Sequence, residues 1–353
     1  MPGKPPIIEL RTSPHAHADS SVEQIMRNVV YALLPVCGYG IYLFGISALA
    51  LILVVTASCL LTEAMFNRAR NGDNSLRDWS AVITGLLLAL TLPPSLPLWM
   101  GAVSGFVAIA LGKLLFGGLG FNVFNPALIG RAFIQAAFPV AITTWTPALA
   151  PQRFVELIPS TLAWPFTRAL PVDQWSKMAV DSFSGATPLG LAKFESVHTD
   201  TLSLFAGATA GSIGETSAAL IILCGLYLAL RRMLDWRIPV AVMLGTTILA
   251  AALHGYDAGR YPSPWFMLFS GGLMLGAWFM ATDMVGSPVT PLGVWIYGLL
   301  IGMLTVVIRL FGGLPEGVMY AILLANAAAP LIDQLTQPRV YGDSRRKRGE
   351  AKP

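Results

Sequence analysis

The sequence predicts an all-α polytopic membrane protein with about ten transmembrane helices, arranged as two inverted five-helix repeats that contain broken helices. Three observations support this fold class. Hydrophobic residues make up 55% of the 353 residues and charged residues only 12%, about half the charged share of a soluble domain. Apolar stretches of bilayer-spanning length recur along the chain, and short segments of the first half recur in the second. So little polar surface disfavours a soluble enzyme, a nucleic-acid binder and a disordered scaffold.

Ten apolar stretches approach the roughly 20 residues that a helix needs to cross the hydrocarbon core. The first two are separated only at Gly45, the third is interrupted by prolines at 93–97, and the eighth runs into Asp283. The first 25 or so residues lack the apolar region of a cleavable signal peptide. The predicted spans are approximately 28–45, 47–66, 80–96, 98–116, 124–139, 216–232, 238–255, 264–283, 291–311 and 316–336.

The distribution of basic residues predicts the orientation. With ten spans, most of the 23 lysines and arginines, including the Arg345–Arg348 cluster, lie on the same side as the N-terminus. Positive residues favour the cytoplasmic side, so both termini are expected in the cytoplasm of a bacterium, with the chain in its inner membrane. The predicted regions are a cytoplasmic tail (1–27), a first membrane repeat (28–139), a periplasmic loop (140–212), a second membrane repeat (213–336) and a basic cytoplasmic tail (337–353).

The two halves of the chain resemble each other in order. Segments 115–119 and 310–314 share the sequence Leu-Phe-Gly-Gly-Leu, and looser matches relate 37–42 to 224–227 and 85–90 to 272–277. Pairs of glycines four residues apart, 101 with 105 and 298 with 302, recur in both halves; such pairs let membrane helices approach closely. Each half has five predicted spans, an odd number, so the second half is expected upside down, as in many transporters.

Two predicted helix breaks, at 92–97 and 282–291, occupy corresponding places in the two halves. Half-helix ends and free backbone groups can bind an ion, although a proline kink satisfied by neighbouring helices is the alternative. Asp283 in the second break is the candidate for an ion path, or else it only caps a half-helix. The other ionisable residues within or near spans are Glu63, Arg131, Glu316 and Asp333. Of these, Glu63 is expected to extend towards the membrane surface.

The sequence predicts no metal site and no catalytic residue. Cys37, Cys59 and Cys224 lie in separate apolar runs and are expected to be buried thiols. Two histidines in the N-terminal tail, His15 and His17, would make at best a weak metal site. Thr187 in the long loop follows the small residues 184–186 and precedes a proline. Spacing alone makes this a surface turn with an accessible hydroxyl, and no histidine–aspartate partner accompanies it for nucleophilic catalysis.

The segment Asp181-x-x-Ser184-Gly185-Ala186-Thr187 resembles the flavinylation signal of the Rnf/Nqr redox pumps. The resemblance extends along nearly the whole chain. It includes Ser13-Pro-His15 in the N-terminal tail, the stretch Asn122–Ala127 after the fourth span and the basic tail. The chain is thereby identified as a member of the NqrB/RnfD family. Its short N-terminal region favours the D-type subunits of Rnf complexes over the B-type subunits of the sodium-pumping NADH:quinone oxidoreductase.

The resemblance implies a membrane subunit of an ion-translocating oxidoreductase. In such a complex, electron transfer between ferredoxin and NAD(H) drives Na⁺ or H⁺ across the membrane. It implies FMN bound to Thr187 through a phosphoester, attached by a separate flavin transferase that reads Asp181, Ser184, Gly185 and Ala186. A non-covalent riboflavin is a further cofactor of the family, which the sequence does not place. The implied partners are the G-type flavoprotein, the A- and E-type membrane proteins and the B- and C-type iron–sulfur proteins of the Rnf complex.

Two other functions fit the sequence features apart from the flavinylation signal. A secondary transporter or channel without a redox cofactor would use the same inverted repeat and broken helices. A scaffold that only holds cofactor-bearing partners is the third possibility.

Overall fold

The computed structural model describes residues 21–70, 78–165, 167, 186–195, 199–207, 209–215 and 217–338, and all the regular secondary structure in these ranges is helical. Two helices, α4 and α7, and the short α12 continue as π-helical turns. The helices are α1 Val22–Phe44, α2 Ile46–Arg70, α3 Ser80–Leu90, α4 Leu98–Ile109 with Ala110–Leu114, α5 Pro126–Ala137, α6 Pro139–Ile142, a 3₁₀ turn Pro159–Leu162, α7 Pro188–Gly190 with Leu191–Glu195, α8 Thr201–Ala206, α9 Ala218–Leu230, α10 Arg237–Tyr256, α11 Pro264–Phe269, α12 Leu273–Leu275 with Gly276–Met280, α13 Pro291–Phe311 and α14 Val318–Thr336.

Four helices in the described part of the chain, α2, α10, α13 and α14, are long and apolar enough to cross a membrane, and α3, α4 and α9 are shorter apolar helices. Their outer faces expose large apolar side chains such as Leu53, Leu61 and Leu331. In water such a surface would be unfavourable, whereas lipid tails solvate it. The prediction of an all-helical, polytopic membrane protein is confirmed at this level.

The predicted split at Gly45 separates α1 from α2. Gly45 has a φ of +74°, and a Cβ atom there would lie 1.9 Å from the carbonyl oxygen of Arg153. Only glycine tolerates both the left-handed backbone and this close approach. The Ile46 N–H donates to the same carbonyl at 3.0 Å, so the loop after α6 covers the junction between the two helices.

Both predicted helix breaks are present. The chain is non-helical from Thr91 to Pro97 and from Ala281 to Thr290. At the first break, Gly214 N–H donates to the Leu90 carbonyl at 2.6 Å and Ile213 N–H to the Leu92 carbonyl at 3.1 Å. These two carbonyls are therefore satisfied by the non-helical segment before α9, whereas the alternative interpretation supposed neighbouring helices.

The eighth predicted span, 264–283, contains an additional break that the sequence reasoning missed. Helix α11 ends at Phe269, and the chain becomes helical again only at Leu273. Gly271 has a φ of +63°, and the Met267 and Ser270 carbonyls accept hydrogen bonds from the Arg309 guanidinium. The expectation of one continuous helix was wrong because a residue about 40 positions away binds the carbonyls at its end.

Pairs of small residues bring two helices into contact in each half. Helix α4 packs along α2, where a Cβ on Gly105 would lie 3.0 Å from the Val55 carbonyl oxygen, and α13 packs along α10, where a Cβ on Gly302 would lie 2.3 Å from the Val242 carbonyl oxygen. In both pairs, later residues of one helix meet later residues of the other, so each pair is parallel. The predicted close approach at both glycine pairs is confirmed.

We expect Gly302→Ala to destabilise the protein by about 1–3 kcal/mol, because the added methyl group must displace the backbone of α10. The measurement is the midpoint of thermal unfolding in detergent. Gly313→Ala is the matched control, since a Cβ there meets nothing within 4 Å. Equal midpoints for the two variants would show that the α10–α13 contact is looser than the structure indicates.

Candidate functional site

Thr187 begins the helical segment formed by α7 and its π-helical extension. Its backbone is extended (ψ 159°), and its Oγ1 accepts a hydrogen bond from Gly190 N–H at 3.1 Å. Pro188 follows at the first helical position, where its missing N–H costs nothing. Thr187 is therefore an N-cap residue, which agrees with the predicted turn.

The Thr187 side chain is only 3% exposed, so the expectation of an accessible hydroxyl was wrong for this conformation. The threonine is buried because the helical segment that it caps packs against α8 and α11: Leu189 contacts Leu204 and Phe266. Ala186 is half-buried beside it, whereas Asp181, Ser184 and Gly185 lie outside the described residues.

Lys193 fastens the same segment to the end of α13. Its Nζ donates to the carbonyls of Arg309 at 2.8 Å and Leu314 at 3.1 Å, and also to that of Gly312. Partial burial lowers the pKa of this lysine, while the three carbonyl dipoles point at its ammonium group. We call residues 186–195 the Thr187 segment.

Four charged side chains lie beneath the Thr187 segment. Arg309, which is 2% exposed, binds the carbonyls at the break between α11 and α12. Arg131 of α5 forms an ion pair with Glu316, which lies in the loop before α14. Glu215 lies just before α9, and its carboxyl group accepts from the Ser212 N–H at 3.5 Å. Three of the four, all but Arg309, line one cavity of about 20 Å³.

Arg131 and Glu316 were both identified from the sequence, and the structure brings them together. Glu215 was missed because it precedes an apolar run and looks like a loop residue. Arg309 was not singled out from the sequence, and it is buried. The signal that could have identified Glu215 is the pair of glycines and the serine in the Gly211-Ser212-Ile213-Gly214 segment before it.

Asp283 lies at a different cavity, of about 100 Å³, which shares no lining residue with the first. Its carboxylate accepts from Val285 N–H at 3.2 Å, and Asn122 lines the same cavity. The bond to Val285 closes a turn inside the non-helical break rather than capping a half-helix, and the role of Asp283 in an ion path stays a prediction. The structure does not bring Asp283 together with Thr187.

Two further acidic residues identified from the sequence, Glu63 and Asp333, bind groups on other parts of the chain. Glu63 does not extend to the membrane surface: it is buried and bound to Lys113 at 2.6 Å. Lys113 is buried with it because each neutralises the other. Asp333 accepts from the N–H groups of Val289 and Thr290, and so ties α14 to the second break.

The three cysteines are buried, as predicted. Within the described ranges, no group of three or more His, Cys, Asp or Glu side chains could hold a metal ion.

Comparison with known proteins identifies the family of the chain. The sequence profile of the NQR2, RnfD, RnfE family matches residues 9–342. The chain belongs to this family.

Relatives of the chain match it over nearly their whole length. The D-type subunit of the proton-translocating ferredoxin:NAD(+) oxidoreductase complex of Clostridium ljungdahlii is 41% identical over 350 residues, which cover 96% of this chain and 97% of that protein. Its counterpart in the Na(+)-translocating ferredoxin:NAD(+) oxidoreductase complex of Acetobacterium woodii is 41% identical over 98% of both chains. The counterpart in the ion-translocating oxidoreductase complex of Alcanivorax borkumensis is 40% identical over 96% of this chain and 98% of that protein.

We expect Lys193→Met to release the Thr187 segment from α13, because charge-assisted hydrogen bonds of about 1.5–3 kcal/mol each are lost. Hydrogen–deuterium exchange in peptides covering 186–195 should accelerate at least about tenfold, which corresponds to about 1.4 kcal/mol. Glu195→Gln, at an exposed position of the same segment, is the control and should exchange like the unmodified protein. Unchanged exchange in Lys193→Met would mean that apolar packing alone holds the segment.

Proposed function

We propose that the chain is the D-type membrane subunit of a redox-driven ion pump, which couples electron transfer between ferredoxin and NAD(H) to the translocation of Na⁺ or H⁺. The observation that carries this proposal is the match, at about 41% identity over nearly full length, to D-type subunits of ferredoxin:NAD(+) oxidoreductase complexes. One relative is named for protons and the other for sodium at the same identity, so overall similarity does not select the ion. The chain acts within the complex as part of a translocase.

We infer that Thr187 carries FMN through a phosphoester, with Asp181, Ser184, Gly185 and Ala186 forming the attachment signal. The position suits a phosphate, because negative charge is favoured at the N-terminal end of a helical segment. When bound there, FMN supplies the electron-carrying chemistry. The chain's own residues hold the attachment point: Leu189 buries the segment and Lys193 binds the end of α13. A flavin transferase needs the hydroxyl exposed, so attachment requires the segment to be undocked.

The helix packing supports the inferred pair of inverted five-helix repeats. The parallel contact of α2 with α4 in the first half corresponds to that of α10 with α13 in the second. Near the C-terminal end of α4, Lys113 donates to Ser80 at the start of α3; near the end of α13, Arg309 donates to Met267 and Ser270. Ser80 and Met267 are separated by the same 187 residues that relate two of the sequence matches. The inferred arrangement has about ten spans.

The inferred orientation places both termini in the cytoplasm and the Thr187 segment on the periplasmic side of a bacterial inner membrane. The inferred partners are the G-type flavoprotein, the A- and E-type membrane proteins and the B- and C-type iron–sulfur proteins of the complex. Three cysteines in separate helices cannot ligate a four-cysteine cluster, so iron–sulfur centres that deliver electrons would belong to other subunits. A flavin transferase is a further inferred partner, which acts during maturation. A non-covalent riboflavin is a further inferred cofactor.

The flavin proposal is tested by producing the protein with its flavin transferase and viewing a denaturing gel under ultraviolet light. We expect a fluorescent band that is lost in Thr187→Val, since valine has no hydroxyl to esterify. Intact mass should show the added FMN in the parent protein only. Thr167→Val, an exposed threonine of the same outer region, is the control and should stay fluorescent. A dark parent band under these conditions would favour the transporter or channel without a redox cofactor.

Asp283 is the proposed residue of the ion path. We expect Asp283→Asn, assayed in the complete complex, to preserve electron transfer while ion pumping per electron falls several-fold, because the carboxylate charge at the cavity is lost. The two activities are measured separately, by NADH formation and by ion uptake into vesicles. Asp257→Asn, an exposed position, is the control. If Asp283→Asn leaves both activities unchanged, Asp283 only stabilises the turn in the second break.

A further inference from the structure

The buried charges beneath the Thr187 segment form one group. Arg131 and Glu316 make an ion pair, and Glu215 lines the same cavity as both. Arg309 and Glu215 lie against adjacent residues of the break between α11 and α12: a Cβ on Gly271 would lie 3.1 Å from the Arg309 guanidinium, and a Cβ on Gly272 would lie 3.4 Å from a Glu215 oxygen. The other residues around the cavity come mainly from α3, α5, α12 and α14 and carry no charge.

Glu215 is the member of the pair that favours a proton. Glu316 is ion-paired with Arg131, whereas Glu215 makes no ion pair in the part of the chain that the structure describes. Within that part, the Glu215 carboxyl group accepts only from the Ser212 N–H, at 3.5 Å, and its other oxygen is buried without a partner. A buried carboxyl group with so few donors favours its neutral, protonated form.

The cavity beside the pair is built for a polar ligand. At about 20 Å³, it has the room that one water molecule needs, roughly 10–15 Å³. The Ser212 hydroxyl lines it, is 1% exposed and has no hydrogen-bond partner; one oxygen of each glutamate also lacks a partner. Unpaired buried polar atoms cost about 1–3 kcal/mol each, which a bound water would relieve while linking the pair to a proton source.

We propose that Glu215 and Glu316 form a proton-binding site, in which one proton is shared between the carboxyl groups and reaches them through the water-sized cavity lined by Ser212. The ligand is a proton rather than Na⁺ because a proton needs a single carboxyl oxygen, whereas a metal cation needs a shell of several oxygen ligands, and the cavity has room for about one water molecule. Binding makes one O–H bond on a carboxylate, and the proton is taken from solvent.

Arg309 connects this site to the Thr187 segment. Its backbone carbonyl accepts from Lys193, and its guanidinium binds the Ser270 carbonyl at 2.8 Å. Between them, a Cβ on Gly271 would lie 2.6 Å from Leu189 and 3.1 Å from the Arg309 guanidinium. This step rests on the proposed function. An electron added to FMN on Thr187 would attract a proton to the Glu215–Glu316 pair, and removal of that electron would release the proton.

The test is infrared spectroscopy of the purified complex during a pH titration. We expect the carbonyl stretch of a protonated carboxylic acid to appear as pH falls and to shift in heavy water. The band should be lost in Glu215→Gln, which keeps the Arg131–Glu316 ion pair and so should fold. Glu156→Gln, at an exposed position in the outer loop, should leave the band unchanged. Persistence of the band in Glu215→Gln and in Glu316→Gln would overturn the site.

Two further measurements separate this site from the flavin proposal. In Thr187→Val the titrating band should remain while its change on chemical reduction disappears, so a missing flavin does not remove the proton site. If the band is absent in a complex that carries its flavin, the proton site is wrong while the flavin stands. Loss of the band on adding Na⁺ at constant pH, but not on adding K⁺, would overturn the choice of a proton.

Discussion

The second half of the structure depends on the hydrogen bonds between the Arg309 guanidinium and the carbonyls that end α11. A broken helix in a membrane leaves carbonyls that lipid cannot satisfy, and Arg309 supplies the missing donors for Met267 and Ser270. Because the arginine is buried, acidic groups near it stabilise its charge, and Glu215 lies against the next residue of the same break. The break, the arginine and the carboxyl pair therefore form one packed unit, whose net charge changes when the pair takes up or releases a proton.

In the first half, a buried lysine has the place that Arg309 has in the second half. Lys113, near the end of α4, donates to Ser80 and is neutralised by Glu63. Its ammonium lies 2.6 Å from Glu63 and 3.9 Å from Asp78, whereas the planar guanidinium of Arg309 spans two carbonyls. Lysine presents a point charge and arginine a fork of donors. In both halves, a buried cation near the end of one helix binds polar groups of another helix and lies among acidic side chains.

Sequence reasoning succeeded where the determining residues are neighbours. Apolar runs located the helices, the prolines at 93–97 and 288–291 located two breaks, and paired glycines located two helix contacts. It failed where a residue far along the chain determines the local structure. The break at Gly271 depends on Arg309, and the burial of Glu63 depends on Lys113. The role of Glu215 depends on the cavity that it shares with Glu316. Such pairings link positions about 40 to 100 residues apart, and a single sequence carries no local signal for them.

The burial of Thr187 has a consequence for the order of assembly. If the Lys193 contacts and the packing of Leu189 together hold the segment by about 4 kcal/mol, only about one molecule in a thousand exposes the hydroxyl at equilibrium. A transferase acting on the folded protein would then work at about a thousandth of its rate on an open segment. Attachment before the segment docks avoids this loss. The same contacts that delay a late modification would then hold the modified threonine in a segment that Lys193 ties to the Arg309 carbonyl.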